Sequence, residues 1–177
     1  MLNRVFTYIS IVKVKKNAQL CGLFLYSVLM FTTLSQQIFD KPVQAQIIET
    51  IKAAEAGTSG EIRVHIEAFS GQNSAYYRAK DLFLSLNMGK TQFHNGVLIY
   101  IAWMEQTVAI YADEQIYQVV PQGYWDDIVR RLREEFQREN YLEGILESIK
   151  AVGIKLKRHF PIEKGDRNEL TDEVSFG

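Results

Sequence analysis

Asn95-Gly96-Val97-Leu98-Ile99-Tyr100-Ile101-Ala102-Trp103, followed by Met104-Glu105-Gln106 and then Thr107-Val108-Ala109-Ile110-Tyr111-Ala112, decides the fold. The Asn-Gly pair opens an unbroken apolar run rich in β-branched residues, which reads as a strand covered on both faces. Met104-Glu105-Gln106 is short enough for a hairpin loop, so Thr107 to Ala112 is an antiparallel return strand.

Upstream, Glu61-Ile62-Arg63-Val64-His65-Ile66-Glu67-Ala68 alternates polar and apolar. That period predicts a strand buried on one face, with His65 pointing outward. After the loop Ser70-Gly71-Gln72-Asn73, the spacing of Ala79, Leu82, Phe83 and Leu86 predicts a helix over about 74–87. A strand, a crossover helix and a second strand make parallel neighbours. Asp40 near an N-cap, Pro42 in a first turn and Val43, Ile47, Ile51 and Ala54 at helical spacing predict a helix over about 41–56, stopped by Gly57. Downstream, Asp113 to Val120 is expected as a helical turn broken at Pro121-Gln122-Gly123. Helices over about 124–139 and 141–158 follow, Pro161 ends the second, and the polar tail reads as a surface strap. The expected fold is α/β: a three-layer α/β/α sandwich with a small mixed sheet of three or four strands and helices on both faces.

The 177 residues are 47% apolar and 23% charged, ordinary globular usage. A single cysteine, Cys21, excludes an intrachain disulfide and a Cys-rich zinc site. Residues 1–35 carry Arg4, Lys13, Lys15 and Lys16 with no acid, whereas the rest holds 16 basic and 21 acidic residues. An acidic body lacks the basic stripe of a nucleic-acid binder. Nucleotide-binding GxGxxG and GxxxxGK[ST] patterns are absent, as is GxSxG. Gly89-Lys90-Thr91 resembles the end of a phosphate loop, but Leu84 stands where that loop needs glycine, so it reads as a turn.

Two domains are expected, 1–35 and 36–177, with 161–177 as the strap. The uncharged run 18–34 follows a basic stretch and is 17 residues long, at the lower edge of a membrane-spanning helix. One reading makes it signal-like or, since the usual small-x-small cleavage site is missing, an uncleaved membrane anchor. The other starts the protein at Met30 and makes the domain cytoplasmic. In either case residues 1–35 are expected to pack poorly on the body.

Candidate chemistry lies at strand ends. His65, His94 and His159 are too far apart in sequence for an HxxxH zinc pair, and His159 in a last helical turn complements the helix dipole. Asp113-Glu114 follow a strand and Asp126-Asp127 open a helix, so Asp113, Glu114, Asp126 and Asp127 are the candidate ligands for a hard cation, Ca²⁺ or Mg²⁺. Dipole complementation explains Asp126 and Asp127 equally well. His94 and Asn95 are cleft candidates. Gly71, Asn95 and Asp113 cannot all line one cleft, because parallel strands place Gly71 and Asn95 at opposite ends. The arginines among Glu134, Glu135 and Glu139 read as a solvated, ion-paired face.

Ser59-Gly60-Glu61-Ile62-Arg63-Val64, Leu86-Asn87-Met88-Gly89-Lys90-Thr91, Asn95-Gly96-Val97-Leu98-Ile99-Tyr100 and Asp113-Glu114-Gln115-Ile116 occur in order, followed by Tyr141-Leu142-Glu143-Gly144-Ile145 and Asn168-Glu169-Leu170-Thr171-Asp172-Glu173-Val174. In sequence and spacing they resemble the TPM-domain family, over roughly 36–177. The family is named after a thylakoid-lumen phosphatase, a photosystem-repair protein and an animal membrane protein that modulates a receptor. The resemblance implies an α/β/α sandwich, divalent-cation binding through an acidic cluster in some members and acid phosphatase activity in others. Family glycines around the acidic turn are replaced here by Ala112 and Gln115, so only Asp113 and Ile116 carry over. His94 stands where the family often has arginine, and no phosphatase nucleophile carries over.

Two functions follow as expectations. The first is a non-catalytic binding or accessory module with a protein partner, beside a membrane, and no nucleic acid or nucleotide. The alternative is a cation-assisted phosphatase, which needs a nucleophile or metal-activated water and positive charge on the phosphoryl oxygens.

Overall fold

The structure, a computed structural model, describes residues 34–35, 37–71, 74–162 and 168–177. The chain divides into two compact units, Met1–Gln37 and Ile38–Gly177. The expectations for residues 1–33 lie outside the described residues. In the second unit the elements run α1 (Lys41–Glu55), β1 (Glu61–Glu67), α2 (Ala75–Ser85), β2 (Gly96–Ala102), β3 (Thr107–Ala112), α3 (Glu114–Val119), α4 (Gln122–Gln137), α5 (Tyr141–His159) and β4 (Ser175–Phe176). Single 3₁₀ turns at Met88–Lys90 and Trp103–Glu105 flank β2.

The sheet order is β3-β2-β1-β4. Strands β1 and β2 pair in parallel, Glu61 with Gly96 through Glu67 with Ala102. Strand β3 returns antiparallel, Val97 facing Ala112. The apolar run β2 is therefore internal, and all seven of its residues are buried. Its period-2 pleat feeds two core layers. Leu98, Tyr100 and Ala102 join Ala79, Leu82 and Phe83 of α2 and Ala109 of β3. On the other face Val97, Ile99 and Ile101 share the register of Ile62, Val64 and Ile66, all buried, beneath α1, α4 and α5.

Local signals explain the helix limits. The Asp40 carboxylate accepts the Val43 amide at 3.1 Å, and Pro42 falls in the first turn of α1, as its capping pattern predicts. Lys157, Arg158 and His159 occupy the last turn of α5, where cations favour the dipole. Helices α1 and α5 meet at a glycine: a Cβ on Gly153 would lie 2.7 Å from the Cβ of Ala54. Gly153→Ala is therefore expected to push the helices apart and to cost about 1–3 kcal/mol, read as a lower urea midpoint at unchanged slope. An unaltered midpoint would show that this approach is not tight.

Three expectations about the sheet need correction. Strand β1 is buried along both faces, not one. His65 is not an outward surface residue, being 4% exposed. The tail is more than a strap: Ser175 and Phe176 add a fourth strand, parallel to β1. One cause underlies all three. On that face α2 packs on β2 and β3, so the polar side of β1 is left to the tail, whose backbone fits its open edge.

Candidate functional site

The strand directions bring two of the predicted site residues to one end of the sheet. Strand β2 begins at Gly96, and β3 ends opposite it, so the Asp113 amide donates to the Gly96 carbonyl at 2.9 Å. Asn95 and Asp113 thus flank the same strand pairing, whereas Gly71 follows the far end of β1. Asp113 is the N-cap of α3, and its Oδ1 accepts the Glu114 amide at 2.8 Å. Its Oδ2 is shielded from solvent and has no hydrogen bond; His94 Nδ1 stands 3.4 Å away. His94 is held at φ +48°, a left-handed backbone that few side chains tolerate without cost. Its imidazole is 57% exposed, against 14% for the Asp113 side chain, so the pair opens outward on the histidine side.

Asn95 is fully buried and organises the base of this end. Its Nδ2 donates to the Ser59 carbonyl at 3.0 Å and to Ser59 Oγ at 3.1 Å, and its amide donates to Thr91 Oγ1 at 3.3 Å. The Asn95 Oδ1 has no partner. The Asn95 oxygen is thus a buried acceptor without a donor, which is costly, whereas Asp113 Oδ2 makes no hydrogen bond but has the His94 imidazole within ion-pair distance.

Glu114, Asp126 and Asp127 are not drawn into that arrangement. Glu114 is exposed in the first turn of α3. Helix α4 starts at Gln122, so Asp126 and Asp127 lie beyond its first turn, and the dipole explanation for them fails. Asp126 accepts from Gln122 at 3.1 Å, and Asp127 pairs with Arg130 at 3.4 Å, both on the exposed face. Among the described residues no three His, Cys, Asp or Glu side chains come together as a metal cage. What the fold does bring together is one carboxylate oxygen and an imidazole. That set does not fit a cage of six to eight oxygens for Ca²⁺.

A second cluster was hidden in the alternation of β1. Glu61, Arg63, His65 and Glu67 share one face, and each is at least nine-tenths buried. The tail closes over them at matching intervals. The Glu169 amide donates to Glu61 Oε1 at 3.0 Å, Glu173 lies within electrostatic reach of Arg63, Ser175 Oγ contacts His65 Nδ1 at 2.9 Å, and Gly177 sits against Glu67 and His65. A Cβ at Gly177 would be 2.7 Å from Glu67 Oε2, so a side chain there would require the Glu67 carboxylate or the tail to shift.

Glu67 is the hub of this row. Arg78 of α2 grips its two oxygens at 2.8 Å each, the Tyr100 hydroxyl donates to Oε1, and His65 Nε2 is 3.9 Å from Oε2. Burial alone would raise the Glu67 carboxyl, but Arg78, the nearby imidazole of His65 and the Tyr100 hydroxyl outweigh it and hold it at about 2. Conversely, burial and then the Glu67 carboxylate push the Tyr100 phenol well up.

At the start of β1 the balance reverses. Glu55 Oε1 accepts the Ile62 amide at 2.6 Å. Burial, partly offset by that amide and reinforced by the carboxylates of Glu61 and Asp172, raises Glu55 to about 8. Glu61 is also raised, by burial first. The alternation of ionisable residues at 61–67 was visible in sequence as a solvated face. Nothing local revealed that residues 168–177 would cover it.

The TPM domain model matches residues 33–154 of the chain. The chain belongs to the TPM-domain family. BA42 protein from the psychrophilic bacterium Bizionia argentinensis, solved by NMR, is 37% identical, with a TM-score of 0.70 over 77% of this chain and 93% of that one. The N-terminal domain of a protein from P. gingivalis shares the fold at 20% identity and a TM-score of 0.54, over 65% of this chain and 76% of that one. A search of curated proteins found no match. For this TPM domain the expected mixed sheet with helices on both faces is the observed fold.

Proposed function

We propose that this TPM domain is a non-catalytic binding or accessory module whose ligand-facing end is His94 and Asp113, standing on the buried Asn95, and that a largely hydrated divalent cation is its ligand there. The observation that carries the reading is the shielded Asp113 Oδ2, which lacks a hydrogen-bond donor and faces a solvent-exposed imidazole. A hydrated cation would satisfy that oxygen through direct or water-mediated contact. Arg78, Arg130 and Arg138 are each engaged with carboxylates, of Glu67, of Asp127 and Glu134, and of Glu135. Phosphoryl transfer uses convergent cations on the phosphoryl oxygens, and these three arginines are committed elsewhere. The expected setting is beside a membrane with a protein partner. No helix among the described residues is long and apolar enough to cross a membrane, and the apolar run 18–34 lies outside them.

Millimolar Mg²⁺ is expected to raise the melting temperature, since a ligand that binds only the folded state must stabilise it. Asp113→Asn keeps the cap on α3 and removes the charge, so it should abolish the rise. An unshifted wild type at 10 mM Mg²⁺ or Ca²⁺ would refute the cation. Mg²⁺-dependent release of phosphate from a phosphomonoester, lost in Asp113→Asn, would replace this reading with the phosphatase.

A further inference from the structure

The tail meets the domain at a patch crowded with carboxyls. A cavity of about 210 Å³ lies between the end of α1, the start of β1 and the tail, and Glu55, Glu61 and Asp172 line it, one from each. Glu169 stands beside them, its amide donating to Glu61 Oε1 at 3.0 Å. Among the described residues Lys52 is the one base in the lining; it is exposed and pairs with Glu49 at 3.7 Å. Lys157 of α5 reaches the same end of α1 but donates to the Ala53 carbonyl at 3.1 Å. The neutral groups are engaged as well. The Thr58 hydroxyl donates to the Phe160 carbonyl, and Asn168 Nδ2 donates to Asp172 Oδ1 at 2.7 Å. Within this patch the Glu55 and Asp172 carboxyls are hydrogen-bonded to each other. Two ionised carboxylates have no hydrogen to share, so one of the pair must carry a proton.

We propose that residues 168–177 are a proton-held strap: a proton shared by Glu55 and Asp172 seats the tail on the edge of β1, and loss of that proton releases it. The tail, not the helix, gives way. Helix α1 buries Ile47, Ile51 and Ala54 in the core. The strand of the tail is only Ser175 and Phe176, and Leu170 is only partly buried where it packs on the α2 and β2 side chains. Few buried apolar contacts make a segment the first to open. The sign follows from Glu55, raised to about 8 first by burial. The seated state binds a proton that the released state gives up. The strap is therefore held at acid and neutral pH and loosens as the pH rises through about 8, by up to tenfold in its seating equilibrium for each pH unit. Release uncovers Glu61, Arg63, His65 and Glu67. It also frees the β1 backbone opposite Ser175 and Phe176, an open edge with which another strand can pair. Neither Glu55 nor Asp172 contacts His94 or Asp113, so this inference is independent of the cation.

The test is NMR of the full chain labelled at its Leu and Val methyl groups, whose hydrogens do not exchange with water. Leu170 and Val174 report on the strap, and the buried Val97, Leu132 and Val152 report on the core. As the pH rises from 6 to 9.5, the Leu170 and Val174 signals of the wild type are expected to move to random-coil positions while the core signals stay in place. Glu55→Gln removes the acid and keeps the shape, and Asp172→Asn does the same from the tail side. Each should hold the strap signals in their seated positions to at least one pH unit above the wild-type midpoint, and either variant suffices if the other fails to fold. Seated wild-type signals throughout the range would overturn the proposal. So would an unchanged midpoint in the variants, which would place the titrating group elsewhere. Core signals that move together with Leu170 and Val174 would also overturn it, because the whole domain and not the strap would then be opening.

Discussion

Glu67→Ala should destabilise the domain by about 3–5 kcal/mol, the usual cost of removing one partner from a buried ionic network. The carboxylate lost is the acceptor for Arg78 and for the hydroxyl of Tyr100, a residue with no solvent exposure. The truncation leaves the buried phenol of Tyr100 and the Arg78 guanidinium without the acceptor they share. Glu67→Gln isolates the charge from the shape and should cost less. A double-mutant cycle of Glu67→Gln with Tyr100→Phe should give a coupling of about 1–3 kcal/mol, as for hydrogen bonds to charged groups. Coupling indistinguishable from zero in urea melts would mean that the hub is not an energetic unit. The pH signature follows from the depressed carboxyl. Its value falls from an ordinary 4.5 to about 2 on folding. The stabilisation is therefore present above pH 4.5 and lost as the pH falls towards 2, by about 2–3 kcal/mol. Glu67→Gln should remove that part of the acid sensitivity.

Glu55→Gln should act in the opposite sense, stabilising the protein at alkaline pH. Folding raises Glu55 from 4.5 to about 8. The folded state therefore keeps a proton that the unfolded chain releases. Stability from this group is full below pH 4.5 and lost as the pH rises through 8, amounting to about 2–4 kcal/mol after allowance for partial exposure. Glutamine retains an oxygen for the Ile62 amide, and its amide group can donate to Asp172 without adding charge. Urea midpoints measured at pH 5, 7 and 8.5 should fall across that range in the wild type and much less in Glu55→Gln. Parallel profiles would place the pH sensitivity elsewhere. Taken together, Glu55 and Glu67 pull the stability maximum towards pH 4.5, more acidic than is usual for a globular domain.

The strand-end residues and the acids of α4 differ in how far they could be read in advance. Asp113 was legible because a polar pair directly after an apolar return strand marks a strand end, where helices begin and ligands bind. Its contact with His94 depends on β3 running back past the start of β2, which the hairpin already implied. Asp126 and Asp127 looked like helix openers only because Pro121-Gln122-Gly123 reads as a break. In the fold Pro121 is the N-cap, and the helix has turned once before Asp126.

By itself the sequence determined the layered architecture: the continuous run 97–103, the hairpin at 104–106 and the crossover helix leave little choice of strand direction, and helical spacing sets which faces are apolar. Those signals are local, carried by residues within a few positions of one another. The burial of Glu61, Arg63, His65 and Glu67 was decided only by tertiary structure. Their alternation is what a half-solvated strand would show, and the residues that exclude water from them lie about 108–110 positions away, at Glu169 and Ser175. A buried ionic row depends on contacts so distant in the chain that periodicity carries no trace of them. The same holds in part for the raised carboxyl of Glu55, which follows first from its burial in the fold and then from the carboxylates of nearby Glu61 and of Asp172, 117 residues away.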